Sequence, residues 1–107
     1  MMLAIICDEY GGPEVLKVGE RPMVQPNENE RIIKVEYSAL NRADTMQRMG
    51  KYPPPQGATD VLGLECSGYL VNTDGTVSET RVAALLPGGG YAQFVKVHKD
   101  HILELPE

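Results

Sequence analysis

The chain has 107 residues, 42% hydrophobic and 23% charged, which are ordinary values for one globular domain and exclude wholesale disorder. Its net charge of −5 argues against a nucleic-acid-binding surface, which needs clustered positive charge, and no apolar run reaches the ~20 residues of a membrane helix. With no signal-peptide pattern and only two cysteines, Cys7 and Cys66, the chain is predicted to be a cytoplasmic domain with free thiols. Neither nucleic acid nor a membrane is predicted as a partner.

Short segments with the chemistry of β-strands follow one another at about ten-residue spacing. The clearest is 31–37, where alternation predicts that Ile33, Val35 and Tyr37 face the core and the charged residues between them face solvent. Residues 72–75 carry the Asp-Gly signal of a hairpin turn. Together these patterns predict a small antiparallel barrel or sandwich. The other predicted strands are 3–7, 15–20, 65–71, 81–86 and 91–97.

One segment between these strands has the pattern of a helix. Asn41 is a residue type that caps helix N-termini, and Gly50 is one that follows helix C-termini. Asp44 falls at the third helical position, where a carboxylate is favourable. The pattern predicts one short helix over residues 42–49. These structural roles alone account for Asn41 and Asp44.

The glycine-rich run at residues 87–90 is the first candidate for a binding loop. Such a loop cradles phosphate when it leads into a helix, yet here a strand pattern follows. The run also lacks the Lys-Ser or Lys-Thr ending of a phosphate loop. It therefore favours a flexible turn between strands.

Four other polar residues have two interpretations each. Tyr52 precedes three prolines that stiffen the chain, so its ring either packs on them or is held at a functional site. Glu65 opens a strand, where a carboxylate is either exposed or buried and paired. His98 and His101 fit a surface turn better than a site.

Five segments stand out in order along the chain: GGPEVL at residues 11–16, ALNRAD at 39–44, GKYP at 50–53, LGLECSG at 62–68 and GGYAQFV at 89–95. Together they resemble the N-terminal GroES-like domain of the medium-chain dehydrogenase/reductase superfamily, in its quinone oxidoreductase branch. The p53-inducible quinone oxidoreductase group is the most similar. The resemblance covers essentially the whole chain. It implies a mainly β, GroES-like fold: a partly open antiparallel barrel with one short helix at residues 42–49.

The resemblance also implies an activity. Members of this family reduce quinone-like acceptors by hydride transfer from NADPH, and a Rossmann domain makes most of the cofactor contacts. Residues 1–107 contain neither a G-x-G-x-x-G motif nor βαβ periodicity, so they are expected to be the cleft domain of a longer homodimeric enzyme. The 107-residue chain alone is expected to be inactive. The alternative is a stand-alone GroES-like binding or interaction module without catalysis.

Site residues follow from the same resemblance. The zinc-dependent relatives have Cys and His where this chain has Asn41 and Leu64, neither of which replaces those ligands, so no zinc is expected. Tyr52 matches the family tyrosine near the nicotinamide and the acceptor, and is the expected catalytic residue. Asn41 and Asp44 match positions lining the same cleft, where they are expected to contact the cofactor. Glu65 is expected to be structural.

Overall fold

Antiparallel strands account for most of the regular secondary structure in the computed structural model, which describes residues 1–7, 9–50 and 59–106. A five-stranded sheet has the order β6-β3-β4-β5-β7, and β1 pairs with β2 separately. The larger sheet curls into a half-barrel, so the mainly β, GroES-like expectation is confirmed. The elements are β1 Met2–Ile6, β2 Lys17–Arg21, β3 Glu30–Ser38, α1 Arg42–Arg48, β4 Glu65–Val71, β5 Val77–Leu85, β6 Phe94–His98 and β7 Ile102–Glu104.

The main hydrophobic core is built by buried side chains of the five-stranded sheet. Ile33 of β3 and Val82 of β5 have no exposed surface, and Val97 of β6 packs with them. Burying each such side chain stabilises the fold by about 1.5–3 kcal/mol. Cys66 of β4 belongs to the same cluster. None of the helices in the described part of the chain has the length and apolar character needed to cross a membrane.

Tyr37 corrects the expected facing of β3. Ile33 is buried and Val35 packs against the core as predicted, but Tyr37 is 65% exposed. A bulge interrupts the pairing with β4, since Val35 lies opposite Gly68 whereas Tyr37 lies opposite Ser67. The extra residue in β3 breaks the two-residue alternation, so a pattern that assumes regular pleating places Tyr37 on the wrong face.

The boundaries of several strands differ from those predicted from the sequence. The predicted strand at 15–20 begins at Lys17, because Pro13–Val15 forms a 3-10 turn. The strand expected at 91–97 begins at Phe94. The sequence pattern missed β7, which has only three residues. By contrast, β4 has the predicted bounds, and the hairpin at 72–75 is confirmed by the Gly75 N–H, which donates to the Asn72 carbonyl at 2.9 Å.

The glycine-rich run links β5 to β6 and packs against residues 61–63. The N–H groups of Gly89, Gly90 and Tyr91 donate to the carbonyls of Val61, Gly63 and Leu62, at 2.8–3.0 Å. These amides are therefore bonded to protein acceptors. The two backbones approach so closely that a Cβ at Gly63 would lie 2.7 Å from the Gly90 Cα, and Gly63 also has a φ of +110°.

Gly63→Ala is expected to lower the free energy of unfolding by about 2–5 kcal/mol. A left-handed backbone costs a side chain roughly 1–2 kcal/mol, and overpacking adds about 1–3 kcal/mol. Gly75→Ala is the matched control, because Gly75 has a φ of +92° but no atom within 4 Å of the added Cβ. Urea denaturation of both variants measures the difference, and equal losses would contradict the proposed backbone clash.

Candidate functional site

Helix α1 begins with the polar residues that the sequence singled out. The backbone of Asn41 is extended, and its N–H donates to Asp44 Oδ2 at 2.9 Å, the returning half of a capping box. The N–H of Asp44 donates to the Asn41 carbonyl at 3.0 Å. The helix runs to Arg48, one residue short of the predicted end. The structural roles predicted for Asn41 and Asp44 are thus both present.

Asp44 has a second partner from a distant part of the chain. Its side chain is only 5% exposed, and Tyr91 Oη donates to Asp44 Oδ2 at 2.5 Å. The backbone of Tyr91 is itself fixed on both sides, because its N–H bonds to Leu62 and its carbonyl accepts from the N–H of Ile5 at 2.7 Å. The glycine-rich loop and β1 therefore set the position of the phenol over α1.

The environment of Tyr91 keeps the phenol protonated. Burial raises the pKa of the Tyr91 phenol well above its usual range, and the hydrogen bond to Asp44 and the negative charge of that carboxylate raise it further. A neutral phenol is a donor. The bond from Tyr91 consequently occupies Asp44 Oδ2 throughout the physiological pH range.

Three buried polar atoms on α1 and its cap have no hydrogen-bond partner among the residues that the structure describes: Asn41 Nδ2, Asp44 Oδ1 and Gln47 Nε2. Gln47, like Asp44, is only 5% exposed. Leaving a buried polar group unpaired costs roughly 1–3 kcal/mol. The three residues recur at three-residue spacing, so they lie on neighbouring positions along one side of the helix and its cap. We call these three side chains the polar triad.

The structure brings together two of the three predicted site residues, Asn41 and Asp44. Tyr52, the third, lies outside the described residues. Sequence reasoning missed Tyr91 and Gln47. Tyr91 was interpreted as a strand residue, although a tyrosine directly after three glycines is a candidate for a fixed side chain. The signal for Gln47 was its position three residues beyond Asp44, which places both polar side chains on neighbouring positions of the helix.

The residue types at the superfamily's zinc positions do not fit zinc. Asn41 offers an amide, and Leu64, which is half-buried just before β4, offers no ligand atom. Within residues 1–7, 9–50 and 59–106, no three His, Cys, Asp or Glu side chains gather in a way that could hold a metal. Burial raises the pKa of the Cys66 thiol to about 11, because the apolar surroundings disfavour its charged form.

Tyr91→Phe is expected to destabilise the fold by about 1–3 kcal/mol, because Asp44 stays buried with one partner fewer. Tyr37→Phe is the matched control, since Tyr37 is exposed and its change should cost little. Chemical denaturation at pH 7 measures both. Equal stability of wild type and Tyr91→Phe would show that the bond to Asp44 is dispensable.

The same pair of proteins should differ in pH dependence. The folded-state pKa of Tyr91 is raised, so the folded chain holds the phenolic proton more tightly than the unfolded chain does. The resulting stability is complete below about pH 10, the usual tyrosine pKa, and falls as the pH rises above it. The stability difference between wild type and Tyr91→Phe should therefore narrow above about pH 10. A difference that stays constant across that range would contradict this coupling.

Comparison with known proteins gives the chain a family. The model of the alcohol dehydrogenase GroES-like domain matches residues 27–107. The quinone oxidoreductase of Mus musculus is 31% identical over 113 residues, covering 100% of this chain and 34% of that relative. The chain thus spans about one third of the length of such curated relatives.

Solved structures agree with this assignment. The human synaptic vesicle membrane protein VAT-1 homolog-like protein has a TM-score of 0.85 at 28% identity, covering 99% of this chain and 36% of that one. The quinone oxidoreductase of Thermus thermophilus, solved also as its complex with NADPH, has a TM-score of 0.77 at 34% identity, covering 99% and 32%. A closer placement in the p53-inducible group stays a prediction. The chain belongs to the alcohol dehydrogenase GroES-like domain family, in the quinone oxidoreductase branch of the medium-chain dehydrogenases/reductases.

Proposed function

We propose that the chain is the N-terminal, cleft-forming domain of a zinc-independent, NADPH-dependent quinone oxidoreductase that acts in the cytoplasm as a homodimer. The observation that carries this proposal is the polar triad. Buried donors and an acceptor that the described protein atoms leave unpaired are costly unless a ligand completes them. In a domain of this family, the cofactor and the acceptor are the ligands to consider.

When bound, NADPH supplies a hydride, so that NADPH, a quinone and one proton give NADP⁺ and the hydroquinone. Asn41 and Asp44 are the residues of this chain that would hold the cofactor. Asn41 Nδ2 donates and Asp44 Oδ1 accepts, a pair that suits an uncharged amide or hydroxyl group. Tyr91 supports this role by occupying the other oxygen of Asp44, which leaves Oδ1 for the ligand.

Most cofactor contacts are proposed to come from a dinucleotide-binding domain that completes the full-length protein. The chain covers about a third of its quinone oxidoreductase relatives, and its described residues form only the GroES-like part. On this proposal residues 1–107 supply the acceptor side of the cleft, and by themselves do not catalyse the reaction. A full-length reading frame with a glycine-rich turn between a strand and a helix would carry that domain.

A stand-alone binding module is the second candidate function. It is favoured by the structural similarity to a protein named for synaptic vesicle membranes rather than for a reaction. NADPH consumption in the presence of 1,4-benzoquinone separates the two candidates. Turnover by the full-length protein supports the enzyme, and its absence in a folded, NADPH-binding protein supports the module.

The purified full-length protein is expected to contain no stoichiometric zinc, because Asn41 and Leu64 replace the thiolate and imidazole of the zinc-dependent relatives. Elemental analysis by mass spectrometry after dialysis measures the content. Activity should be unchanged after incubation with EDTA. About one zinc per chain that resists the chelator would refute metal-independent reduction.

Tyr52 is proposed to donate a hydrogen bond to the acceptor oxygen as negative charge develops there. A charge-assisted bond is worth roughly 1.5–3 kcal/mol, so Tyr52→Phe should lower kcat/KM about ten- to a hundredfold. Thermal stability should change little, since the ring remains. Tyr52→Ala should cost more, because stacking against the acceptor is lost as well.

Steady-state kinetics of the two full-length variants test this role. Tyr37→Phe is the control, since that tyrosine lies exposed on the bulged end of β3 and should leave kcat/KM unchanged. If Tyr52→Phe keeps full kcat/KM and Tyr52→Ala loses it, the ring of Tyr52 contributes by packing and its hydroxyl does not take part. The hydrogen-bond donor would then be another residue.

A further inference from the structure

A cavity of about 400 Å³ opens between the end of β1, helix α1 and residues 59–62. Among the described residues that line it are Tyr10, Gln47, Thr59 and Leu62. We call it the Gln47 cavity. Its volume lies within the range of small-molecule sites, which is about 300–1,000 Å³. Neither the helix cap nor the Tyr91 contact uses it.

The Gln47 cavity contains hydrogen-bond donors without acceptors. Gln47 is only 5% exposed and lines the cavity, and its Nε2 has no partner in the part of the chain that the structure describes. Thr59 Oγ1 accepts from the N–H of Val61 at 3.2 Å, so the hydroxyl proton of Thr59 is left to donate. Both groups suit a ligand oxygen that only accepts, such as a carbonyl.

Two further lining residues, Leu62 and Tyr10, are apolar and aromatic. Leu62 is buried, whereas Tyr10 is 70% exposed and lines the same space. Tyr10 lies against the end of α1 because Gly50 has no side chain: a Cβ there would be 2.9 Å from the ring, and its φ of +80° also favours glycine. A largely exposed tyrosine ring offers a surface on which a planar ligand stacks.

The charges at the rim disfavour an anionic ligand. The charged residues that line the cavity in the described part of the chain are Glu9 and Asp60, both acidic. Asp60 is paired with Arg21 at 3.0 Å, but Glu9 is exposed. A carboxylate or phosphate ligand would meet like charge here, while an uncharged ligand would not.

We propose that the Gln47 cavity binds an uncharged aromatic carbonyl compound, with Gln47 as the residue that selects for the carbonyl oxygen. Identifying this compound with the quinone acceptor rests on the proposed function. A 1,4-quinone has two carbonyl oxygens. Gln47 binds one of them, in the ground state as in the transition state. Gln47 therefore determines affinity for the acceptor more than turnover.

The test uses the ¹⁵N-labelled 107-residue chain and the probe duroquinone, whose fully substituted ring blocks addition of cysteine thiols. Titration followed by NMR should shift the side-chain NH₂ signals of Gln47 and the backbone amide of Thr59. Gln47→Leu should weaken binding roughly three- to tenfold, the effect of one neutral hydrogen bond. Gln25→Leu is the matched control, because Gln25 is an exposed loop residue and its change should leave the affinity unaltered.

Sodium benzoate serves as the charged counter-probe, since it is aromatic and planar but anionic. It should produce no saturable shifts at Gln47. Shifts confined to other residues with duroquinone, or equal affinity in wild type and Gln47→Leu, would overturn the proposal. If Gln47→Leu does not fold, as shown by its NMR spectrum, the wild-type titration and Thr59→Val decide the matter in the same way.

Kinetics of the full-length enzyme separate this proposal from the proposed function. Gln47→Leu should raise the KM for the quinone with kcat little changed, whereas a purely structural role would lower stability without that split. If duroquinone shifts the NMR signals of Gln47 but the full-length protein shows no NADPH-dependent turnover, the binding site is supported and the proposed enzymatic function is refuted. If Gln47→Leu turns over with an unaltered KM for the quinone, the proposed binding site is refuted and the enzymatic function is supported.

Discussion

The hydrogen bond from Tyr91 to Asp44 joins three parts of the chain that have no local reason to meet. Tyr91 belongs to the loop after β5, Asp44 to helix α1, and the loop itself is fixed by β1 and by residues 61–63. The bond links residues 47 positions apart, and Tyr91 follows a loop whose backbone packs closely on residues 61–63 because Gly63 and Gly90 have no side chains. The position of α1 therefore depends on glycines that lie outside it.

The polar triad lies on the helix and cap that the bond from Tyr91 to Asp44 holds in place. The unpaired atoms of the triad explain why α1 must be held rigidly. Buried atoms of Asn41, Asp44 and Gln47 that lack a partner among the described residues destabilise the domain. A helix of seven residues also contributes little stability of its own. The phenol of Tyr91 donates a short hydrogen bond to Asp44 Oδ2, so this oxygen already has a partner and the Asp44 side chain is held in place. The unfavourable free energy of the unpaired buried atoms therefore remains in the unliganded domain, and a ligand that bonds to these atoms would remove it.

Local signals predicted the local structure well. The bounds of β4 followed from its apolar pattern and flanking glycines, and the N-terminus of α1 followed from Asn41 and Asp44. What alternation could not predict was the bulge that turns Tyr37 outward, because one extra residue changes the face without changing the composition. Tyr91 and Gln47 were missed for a different reason. Their roles arise from contacts and enclosure made by distant segments, which spacing along the chain does not report.

The burial of Cys66 has a chemical consequence for a domain proposed to meet quinones. Quinones are electrophiles that capture thiolates, and the thiol is far less reactive than the thiolate. Burial raises the pKa of the Cys66 thiol to about 11, so the neutral thiol dominates at pH 7. Its place beside Ile33 and Val82 also keeps it away from solvent. Core packing thus makes Cys66 a poor target for a quinone, whereas Cys7, which lines the Gln47 cavity, is only partly buried.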